Sequence, residues 1–379
     1  MILTNCTCCA APLPHLAKQC SRCKTRYCGS ACQAQHWKEG GHDEVCKKIK
    51  RGGGAEQYYA NTKYSAAVAV AAEACAEDTK GQTCYICLEA VHRRTGEGLV
   101  RGCACHTTEG FVHASCLAEQ AKILVAEAEE NNLDSKVLNE RWRRWSTCGL
   151  CEQSYHGVVR CALSWACWKT YLGRLEADQL RGMAMELLGG GLCGANYHED
   201  ALSVQESLLS TMPRLGVAEE NILVVQGNLA NSYHSLGRLE EGIRLRYDVY
   251  SRHLKLNGEE DKHTLIAALN YAIELSELRR FAEAKSLMCK MVPIARRVLG
   301  NYKRETLMLR VNYAMALYRD DNATLDDLRE PVNMLEETER TALRVFGGAH
   351  PFVADIEIRL RNSRAALGAR ETPPPREGV

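Results

Sequence analysis

Cysteine is the residue type that could do chemistry here, because the chain of 379 residues holds 20 of them. The cysteines are dense up to residue 151 and ordinary in number afterwards. The first residues carry no basic stretch followed by a long apolar one, so neither a secretion signal nor a disulfide framework is expected. The sequence therefore predicts metal-binding modules in the first 151 residues.

The first group of candidate ligands contains two CxxC pairs. A two-residue gap lets two thiolates reach one tetrahedral Zn²⁺ from a tight turn. Eight ligands fill two closed sites, so the ions are structural and no position stays open for catalysis. The candidate ligands are Cys6, Cys9, Cys20, Cys23, Cys28, Cys32, His42 and Cys46. Cys8 is predicted to stand outside both sites, because adjacent residues chelate one ion poorly.

The stretch YCGSACQAQHWKEGGHDEVC at 27–46, after the two CxxC pairs, resembles the MYND zinc finger. The resemblance implies that the ligands of the two ions interleave along the chain. It implies one zinc on Cys6, Cys9, Cys28 and Cys32, and another on Cys20, Cys23, His42 and Cys46. MYND fingers bind proteins, several of them through short proline-containing peptides, so the resemblance implies a protein-binding module over 1–50.

The second group of candidate ligands lies within 84–155, in the order four cysteines, one histidine, three cysteines. The ligands are Cys84, Cys87, Cys103, Cys105, His113, Cys116, Cys148 and Cys151. Two zinc-finger families share this order, the PHD finger and the RING variant called RING-CH. The single residue between Cys103 and Cys105 and the seven-residue gap before His113 favour RING-CH.

The segments CYICLE at 84–89 and FVHASCL at 111–117 also resemble RING-CH. The resemblance implies a cross-brace, with one zinc on Cys84, Cys87, His113 and Cys116 and the second on Cys103, Cys105, Cys148 and Cys151. The gap between Cys116 and Cys148 is long for the family, and it is predicted to hold an inserted helix and a loop.

A RING-type module docks a ubiquitin-conjugating enzyme and orders its ubiquitin thioester, so its effect comes from positioning. The resemblance implies that Ile86, Leu88 and Leu150 form the docking patch, and local core packing is the alternative for Ile86 and Leu150. Glu152 stands where many active RINGs have Arg or Lys. Two hypotheses follow, a RING-type ubiquitin ligase and a non-catalytic zinc-stabilised scaffold.

The second half of the chain repeats with a step of 42 residues, as Asn228, Asn270 and Asn312 show. A fixed period of this size predicts a helical solenoid. The segments NLANSYHSLGRLEEG at 228–242 and FAEAKSL at 281–287 resemble tetratricopeptide repeats of the kinesin-light-chain type. The three asparagines are candidates for clamping a bound peptide backbone, and an inter-repeat hydrogen bond is the alternative.

Composition limits the remaining possibilities. A net charge of +1 gives no argument for nucleic-acid binding, and no run approaches the ~20 apolar residues of a membrane span. No Gly-rich phosphate loop, HExxH or GxSxG motif is present, and no catalytic residue is predicted. The expected partners are proteins or peptides, including a ubiquitin-conjugating enzyme under the ligase hypothesis, and the expected location is cytoplasmic or nuclear.

The predicted fold is mainly α, with two small cross-brace double-zinc modules followed by a TPR-like helical solenoid. Four structural zinc ions are expected. The predicted parts are a MYND-type finger at 1–50, a linker and helix at 51–83, a RING-CH-like finger at 84–155, a connecting helix at 156–179, TPR-like repeats at 180–368 and a disordered tail at 369–379.

Overall fold

The computed structural model describes residues 5–11, 13, 17–103, 110–347 and 351–371. These residues form one two-stranded antiparallel sheet, of β1 (Lys18–Gln19) and β2 (Arg26–Tyr27). They also form fifteen α-helices: α1 (Ser30–Lys38), α2 (His42–Arg51), α3 (Ala55–Ala74), α4 (Ala114–Glu130), α5 (Ser135–Trp142), α6 (Gly157–Tyr171), α7 (Gln179–Gly194), α8 (His198–Thr211), α9 (Glu219–Ser235), α10 (Leu239–Asn257), α11 (Lys262–Glu277), α12 (Phe281–Val298), α13 (Arg304–Tyr318), α14 (Leu325–Phe346) and α15 (Pro351–Glu371).

The chain divides into two compact units, Met1–Val217 and Ala218–Val379. The fold class predicted from the sequence is confirmed: the protein is mainly α, with a TPR-like solenoid and with N-terminal Cys/His clusters suited to small zinc modules. The finer domain limits stay a prediction. None of the helices in the described residues is long and apolar enough to cross a membrane.

Helix α6 lies at the centre of the first unit and packs against α3, α4 and α7. It is buried on every side, with Leu163 and Trp165 among its buried residues, as expected of a helix that is apolar all round. The stretch predicted as a connecting helix therefore supplies the core of this unit. The long gap between Cys116 and Cys148 holds two helices, α4 and α5, where one helix and a loop were predicted.

Helix α7 runs through three consecutive glycines at 189–191, although glycine is unfavourable in a helix interior. Gly191 explains this, because a Cβ built there would lie 2.1 Å from Ser164 Oγ on α6 and 2.6 Å from Ser164 Cβ. The two helices thus pack more closely than any side chain at 191 would allow. The glycine run serves helix packing.

The second unit is a stack of antiparallel helix pairs. Each helix from α9 to α15 packs against the next, and α11 also packs against α13, as α13 does against α15. Contacts between every second helix place the first helices of successive pairs along one side, which is the arrangement of a TPR-like solenoid. Gly258 directly follows α10, and Gly300 lies two residues after the end of α12. Their φ angles are 80° and 93°, a left-handed conformation that favours glycine.

The last helix, α15, continues to Glu371, so the predicted disorder is wrong for 369–371. The helix is held there because Arg370 Nη2 donates to the Asp321 carbonyl at 2.6 Å and Arg329 pairs with Glu371 at 3.4 Å. The remainder of the predicted tail, 372–379, lies outside the described residues.

Candidate metal centres

All four CxxC pairs lie in turns with the same backbone hydrogen bonds. In each turn the N–H of the first cysteine donates to the carbonyl oxygen five residues later, and the carbonyl oxygen of that cysteine accepts from the N–H four residues later. The N···O distances of the first bond are 2.7, 2.8, 3.0 and 2.8 Å for Cys6, Cys20, Cys84 and Cys148. The same turn geometry occurs four times in unrelated sequence. This repetition indicates that each turn serves to hold two thiolates side by side.

The residue after the second cysteine has a positive φ in every one of these turns. The angles are 59°, 65°, 65° and 58° at Ala10, Lys24, Leu88 and Glu152. A left-handed conformation costs roughly 1–2 kcal/mol per non-glycine residue. Such strain persists only where the surroundings enforce it. An ion bound to both thiolates of the turn would supply that constraint.

The first group consists of Cys6, Cys9, Cys28 and Cys32, whose sulfur atoms all lie within 4.8 Å of one another. Cys28 Sγ is 3.6 Å from Cys9 Sγ and 3.4 Å from Cys32 Sγ. A tetrahedron with Zn–S bonds of ~2.3 Å has S···S edges of about 3.8 Å, so the spacing suits one ion. Helix α1 brings Cys32 to this group.

The thiol of Cys6 has a lowered pKa, which favours its thiolate form. Burial raises the pKa of its thiol, but the backbone N–H groups of Cys28, Cys9 and Cys8 together outweigh burial and lower the pKa to about 6. The same opposition of burial and backbone N–H donors lowers the pKa of Cys20 and Cys84. Deprotonated thiols are the form that metals require.

The second group consists of Cys20, Cys23, His42 and Cys46, and all four residues are buried. Helix α2 begins at His42, so His42 and Cys46 lie one turn apart on the same face. His42 Nε2 lies 3.4 Å from Cys23 Sγ, and Cys20 Sγ lies 3.8 Å from Cys46 Sγ. The imidazole therefore faces the group through Nε2.

The third group consists of Cys84, Cys87, His113 and Cys116. His113 is the residue that precedes α4, and Cys116 lies in the first turn of that helix. His113 Nδ1 is 3.3 Å from Cys87 Sγ and 3.8 Å from Cys116 Sγ. Its Nε2 is buried and has no hydrogen-bond partner among the described residues. This histidine faces its group through Nδ1, the opposite nitrogen to that of His42.

The fourth group brings together Cys103, Cys148 and Cys151. Its fourth predicted ligand, Cys105, lies outside the described residues. In all four groups the residues brought together are those that the resemblances to MYND and RING-CH assign to one ion, with Cys105 left undescribed. Four Cys/His clusters able to hold metal ions are thus present, and the assignment of individual ligands stays a prediction.

The cysteines outside these groups are not placed as ligands. Cys8 Sγ lies 3.5 Å from Gln35 Oε1 and belongs to no cluster. Cys161 and Cys167 are buried in α6, where burial raises the pKa of Cys161 to about 11 and also raises the pKa of Cys167 well above its usual value. Neutral buried thiols are poor nucleophiles.

The three candidate docking residues are exposed on the CxxC turns of the candidate metal groups. Ile86, Leu88 and Leu150 have exposed fractions of 38%, 75% and 48%. Local core packing therefore does not account for Ile86 and Leu150. Ile86 also lines a cavity of about 590 Å³ together with Ile123 and Leu124 of α4. Their role in partner binding stays a prediction.

The repeat asparagines differ from one another in their surroundings. Asn228 and Asn270 are half-buried, whereas Asn312 is buried and its Nδ2 donates to the Met308 carbonyl at 2.8 Å. Asn312 therefore uses part of its hydrogen-bonding capacity inside α13. It also lines a cavity of about 500 Å³ between α11, α13 and α15, with Arg304 and Phe352.

A buried ionic network lies between α9, α10 and α11. Glu274 is 1% exposed, and its Oε2 accepts from Arg246 Nε at 3.2 Å and lies 3.1 Å from His234 Nδ1. Arg246 also donates to Asn231 Oδ1 at 2.6 Å. Sequence reasoning missed this network, because its members lie on three helices and no local pattern joins them.

Comparisons with known proteins give the chain no family. No family model matches it, and no curated protein is similar to it. Among solved structures, it is similar to the nearly identical TPR-like repeats of a protein described as a kinesin light chain from Podosopora anserina, at 16% identity and a TM-score of 0.40, over 61% of this chain and 97% of that chain. It is also similar to BtubC (BKLC) from P. vanneervenii, at 14% identity and a TM-score of 0.40, over 70% and 96% of the two chains. At this level the likeness adds no information on function.

Proposed function

We propose that this protein is a zinc-stabilised adaptor for protein–protein interaction. The observation that carries the proposal is the set of four Cys/His groups built on identical CxxC turns. Thiolate with imidazole is the donor set preferred by Zn²⁺, and it excludes the oxygen-binding ions Mg²⁺ and Ca²⁺. The three groups with four described ligands leave no open coordination position, which suits structural ions that would contribute directly to folding when bound.

The first two groups support a MYND-type finger, because their ligands interleave along the chain as in that family. The third group and the described part of the fourth support a RING-CH-type finger for the same reason. These modules bind proteins through the surfaces that the zinc-bound turns present. Under this proposal, the bound ions keep the strained turn residues, such as Leu88, in their left-handed conformation.

The solenoid supplies the second interaction surface of the adaptor. Its cavity of about 500 Å³ between α11, α13 and α15 combines apolar side chains, Met308 and Phe352, with charged ones, Arg304 and Asp355. Mixed linings of this kind suit an extended peptide or a helix, because apolar contacts give affinity and charges give orientation. The partners proposed for the chain are accordingly proteins or peptides.

Selection from a random peptide library on the full zinc-loaded chain tests the adaptor function. Arg304→Glu reverses a charge in the cavity, and we expect it to weaken selected peptides at least about tenfold, or ~1.4 kcal/mol. Arg340→Glu makes the same change on the exposed surface of α14, outside that cavity, and should leave binding unchanged. Selected peptides that bind both variants and the parent protein equally would refute the cavity as the binding surface.

A second candidate function is RING-type ubiquitin ligase activity. The observation in its favour is the exposure of Ile86 and Leu150 on two metal-binding turns, with an apolar cavity beside Ile86. A conjugating enzyme would dock there, and the rate gain would come from holding its thioester in a reactive geometry. Glu152 is exposed and acidic at the position where an active RING commonly carries a cation, and this favours the non-catalytic scaffold.

The ligase is tested by mixing the protein with a panel of charged conjugating enzymes and following ubiquitin discharge onto free lysine. The ligase proposal predicts discharge faster than the blank, its loss in Ile86→Ala, and faster discharge in Glu152→Arg. Val91→Ala shortens a side chain of similar exposure in the same module, and it should change nothing. If no enzyme is discharged above its blank, the ligase is refuted and the scaffold adaptor remains.

A further inference from the structure

A polar pocket lies in the first unit next to the third Cys/His group, since Ser115 in its lining lies between His113 and Cys116 along the chain. It has a volume of about 350 Å³ and is formed by α3, α4 and α6. Its lining includes Gln57 and Tyr64 from α3, Ser115 and Lys122 from α4, and Lys169 from α6. Two lysines and several hydrogen-bonding groups in one pocket give it a basic, polar character.

Lys169 is the unusual member of this lining. Its Nζ lies 3.7 Å from the centroid of the Tyr64 ring, and it has no ion pair or hydrogen bond among the described residues. The side chain is half-buried, and burial lowers the pKa of its ammonium group, opposed by the charge of Glu97. A cation in this setting normally has an anionic partner, since a cation–π contact recovers only roughly 0.5–2 kcal/mol.

The nearby carboxylates of this chain are already engaged. Glu97 Oε1 accepts the backbone N–H of Ser115 at 2.7 Å, where it caps the first turn of α4. Glu119 pairs with Lys122 at 3.4 Å on the exposed side of the pocket. Neither forms an ion pair with Lys169.

Ser115 supplies an independent observation. Its hydroxyl oxygen is buried and has no hydrogen-bond partner among the described residues. Buried hydroxyl groups are normally satisfied, so an unpartnered one in the wall of a pocket marks a place for a ligand atom. Lys169 and Ser115 thus both line this 350 Å³ pocket, and Ser115 also lines the cavity of about 590 Å³ beside Ile86.

We propose that this pocket binds a carboxylate group, with Lys169 as its ionic partner and Ser115 as a hydrogen-bond donor. One ammonium and one hydroxyl match the single charge and two oxygens of a carboxylate. A phosphate dianion carries more charge than the single free ammonium group offers, since Lys122 is paired with Glu119 and Glu97 already occupies the N-terminus of α4. The carboxylate has two sources, a free small dicarboxylate or an acidic side chain of a partner protein.

Competitive acetylation of lysines on the full zinc-loaded chain tests the proposal. Trace N-hydroxysuccinimidyl acetate labels the lysines, and peptide mass spectrometry measures the rate at each one. Glutarate is the probe for a free carboxylate, and the capped dipeptide acetyl-Glu-Glu-amide is the probe for a protein side chain, both at constant ionic strength. Lys80 is exposed and outside the pocket, and it is the internal control.

We expect saturable protection of Lys169 of at least about fivefold at millimolar probe, with Lys80 unaffected. Ser115→Ala should raise the half-protecting concentration about tenfold at unchanged zinc content, since a hydrogen bond to a charged group is lost. Protection by glutarate supports a free ligand, and protection by the dipeptide alone supports a protein side chain. Equal rates at Lys169 with and without both probes, or equal slowing of all lysines, would overturn the proposal.

Discussion

A methyl group added at Gly191 should destabilise the first unit, whereas the same addition at Gly182 should stabilise it. Both glycines lie in α7, but their surroundings differ. A Cβ at 191 would lie 2.1 Å from Ser164 Oγ, and a Cβ at 182 would have no atom within 4 Å. The pair separates the cost of close helix packing from the helix propensity of alanine.

The magnitudes follow from these distances. Carbon atoms pack at about 3.5–4.0 Å, so Ser164 Cβ at 2.6 Å must move by roughly 1 Å, and overpacking of this kind costs roughly 1–3 kcal/mol. The gain in helix propensity, ~1 kcal/mol, offsets part of this cost at 191 and acts alone at 182. The net expectation is a loss of about 1 kcal/mol for Gly191→Ala and a gain of about 1 kcal/mol for Gly182→Ala.

Thermal unfolding of the zinc-loaded chain, followed by circular dichroism, measures both variants. A unit of this size shifts its Tm by roughly 2–4 °C per kcal/mol, so Gly191→Ala should melt about 2–4 °C lower and Gly182→Ala about 2–4 °C higher. Ser164→Gly should recover part of the loss when combined with Gly191→Ala. A stabilising effect of Gly191→Ala would refute the close approach of α6 and α7.

Three further changes test other parts of the structure. Glu274→Gln should lower the free energy of opening that hydrogen exchange measures in α9–α11 by roughly 3–5 kcal/mol, because it leaves a buried cation unpaired. Glu277→Gln on the same helix breaks an ion pair at the surface and should lower that free energy by less than ~1 kcal/mol. Lys285 Nζ lies 2.7 Å from Asp320 Oδ2 and lowers the pKa of the Asp320 carboxyl group. The stabilisation from this ion pair is therefore complete above the unfolded pKa of Asp320 and is lost as the pH falls through the lower folded pKa. Asp320→Asn should remove this acid-dependent loss of stability, which urea midpoints measure as a function of pH. Leu88→Gly should stabilise the zinc-loaded protein by about 0.5–1 kcal/mol, measured as a rise in Tm, because glycine adopts the φ of 65° without the strain that leucine has there.

The four Cys/His groups that could hold metal ions were largely predictable, because the spacing of candidate ligands is a local property. A two-residue gap fixes two thiolates on one turn, and the histidine follows from helix periodicity, as at His42 and Cys46. The left-handed turn residues were not predictable, since none of them is glycine. Strain at Lys24 or Leu88 is imposed by tertiary structure, and no propensity reveals it.

The helical repeats were predictable from their period, but the interactions between helices were not. The 42-residue step places the asparagines on equivalent helices, yet their burial depends on neighbours that the period does not describe. Glu274 has the residue type of a solvated surface and is instead buried beside Arg246 and His234 from two other helices. The central role of α6 was missed for the same reason, because two of its partners, α3 and α4, lie far from it in sequence.

The number of zinc ions bound per chain shows whether the four Cys/His groups are metal sites. Native mass spectrometry of the 42.2 kDa protein, purified without chelator and with zinc present, resolves each bound ion. The four Cys/His groups predict a species with four zinc ions, and loss of exactly one ion when the Cys20 and Cys23 thiols are both removed by substitution with serine. A saturated stoichiometry of three or fewer in the parent protein would contradict the account.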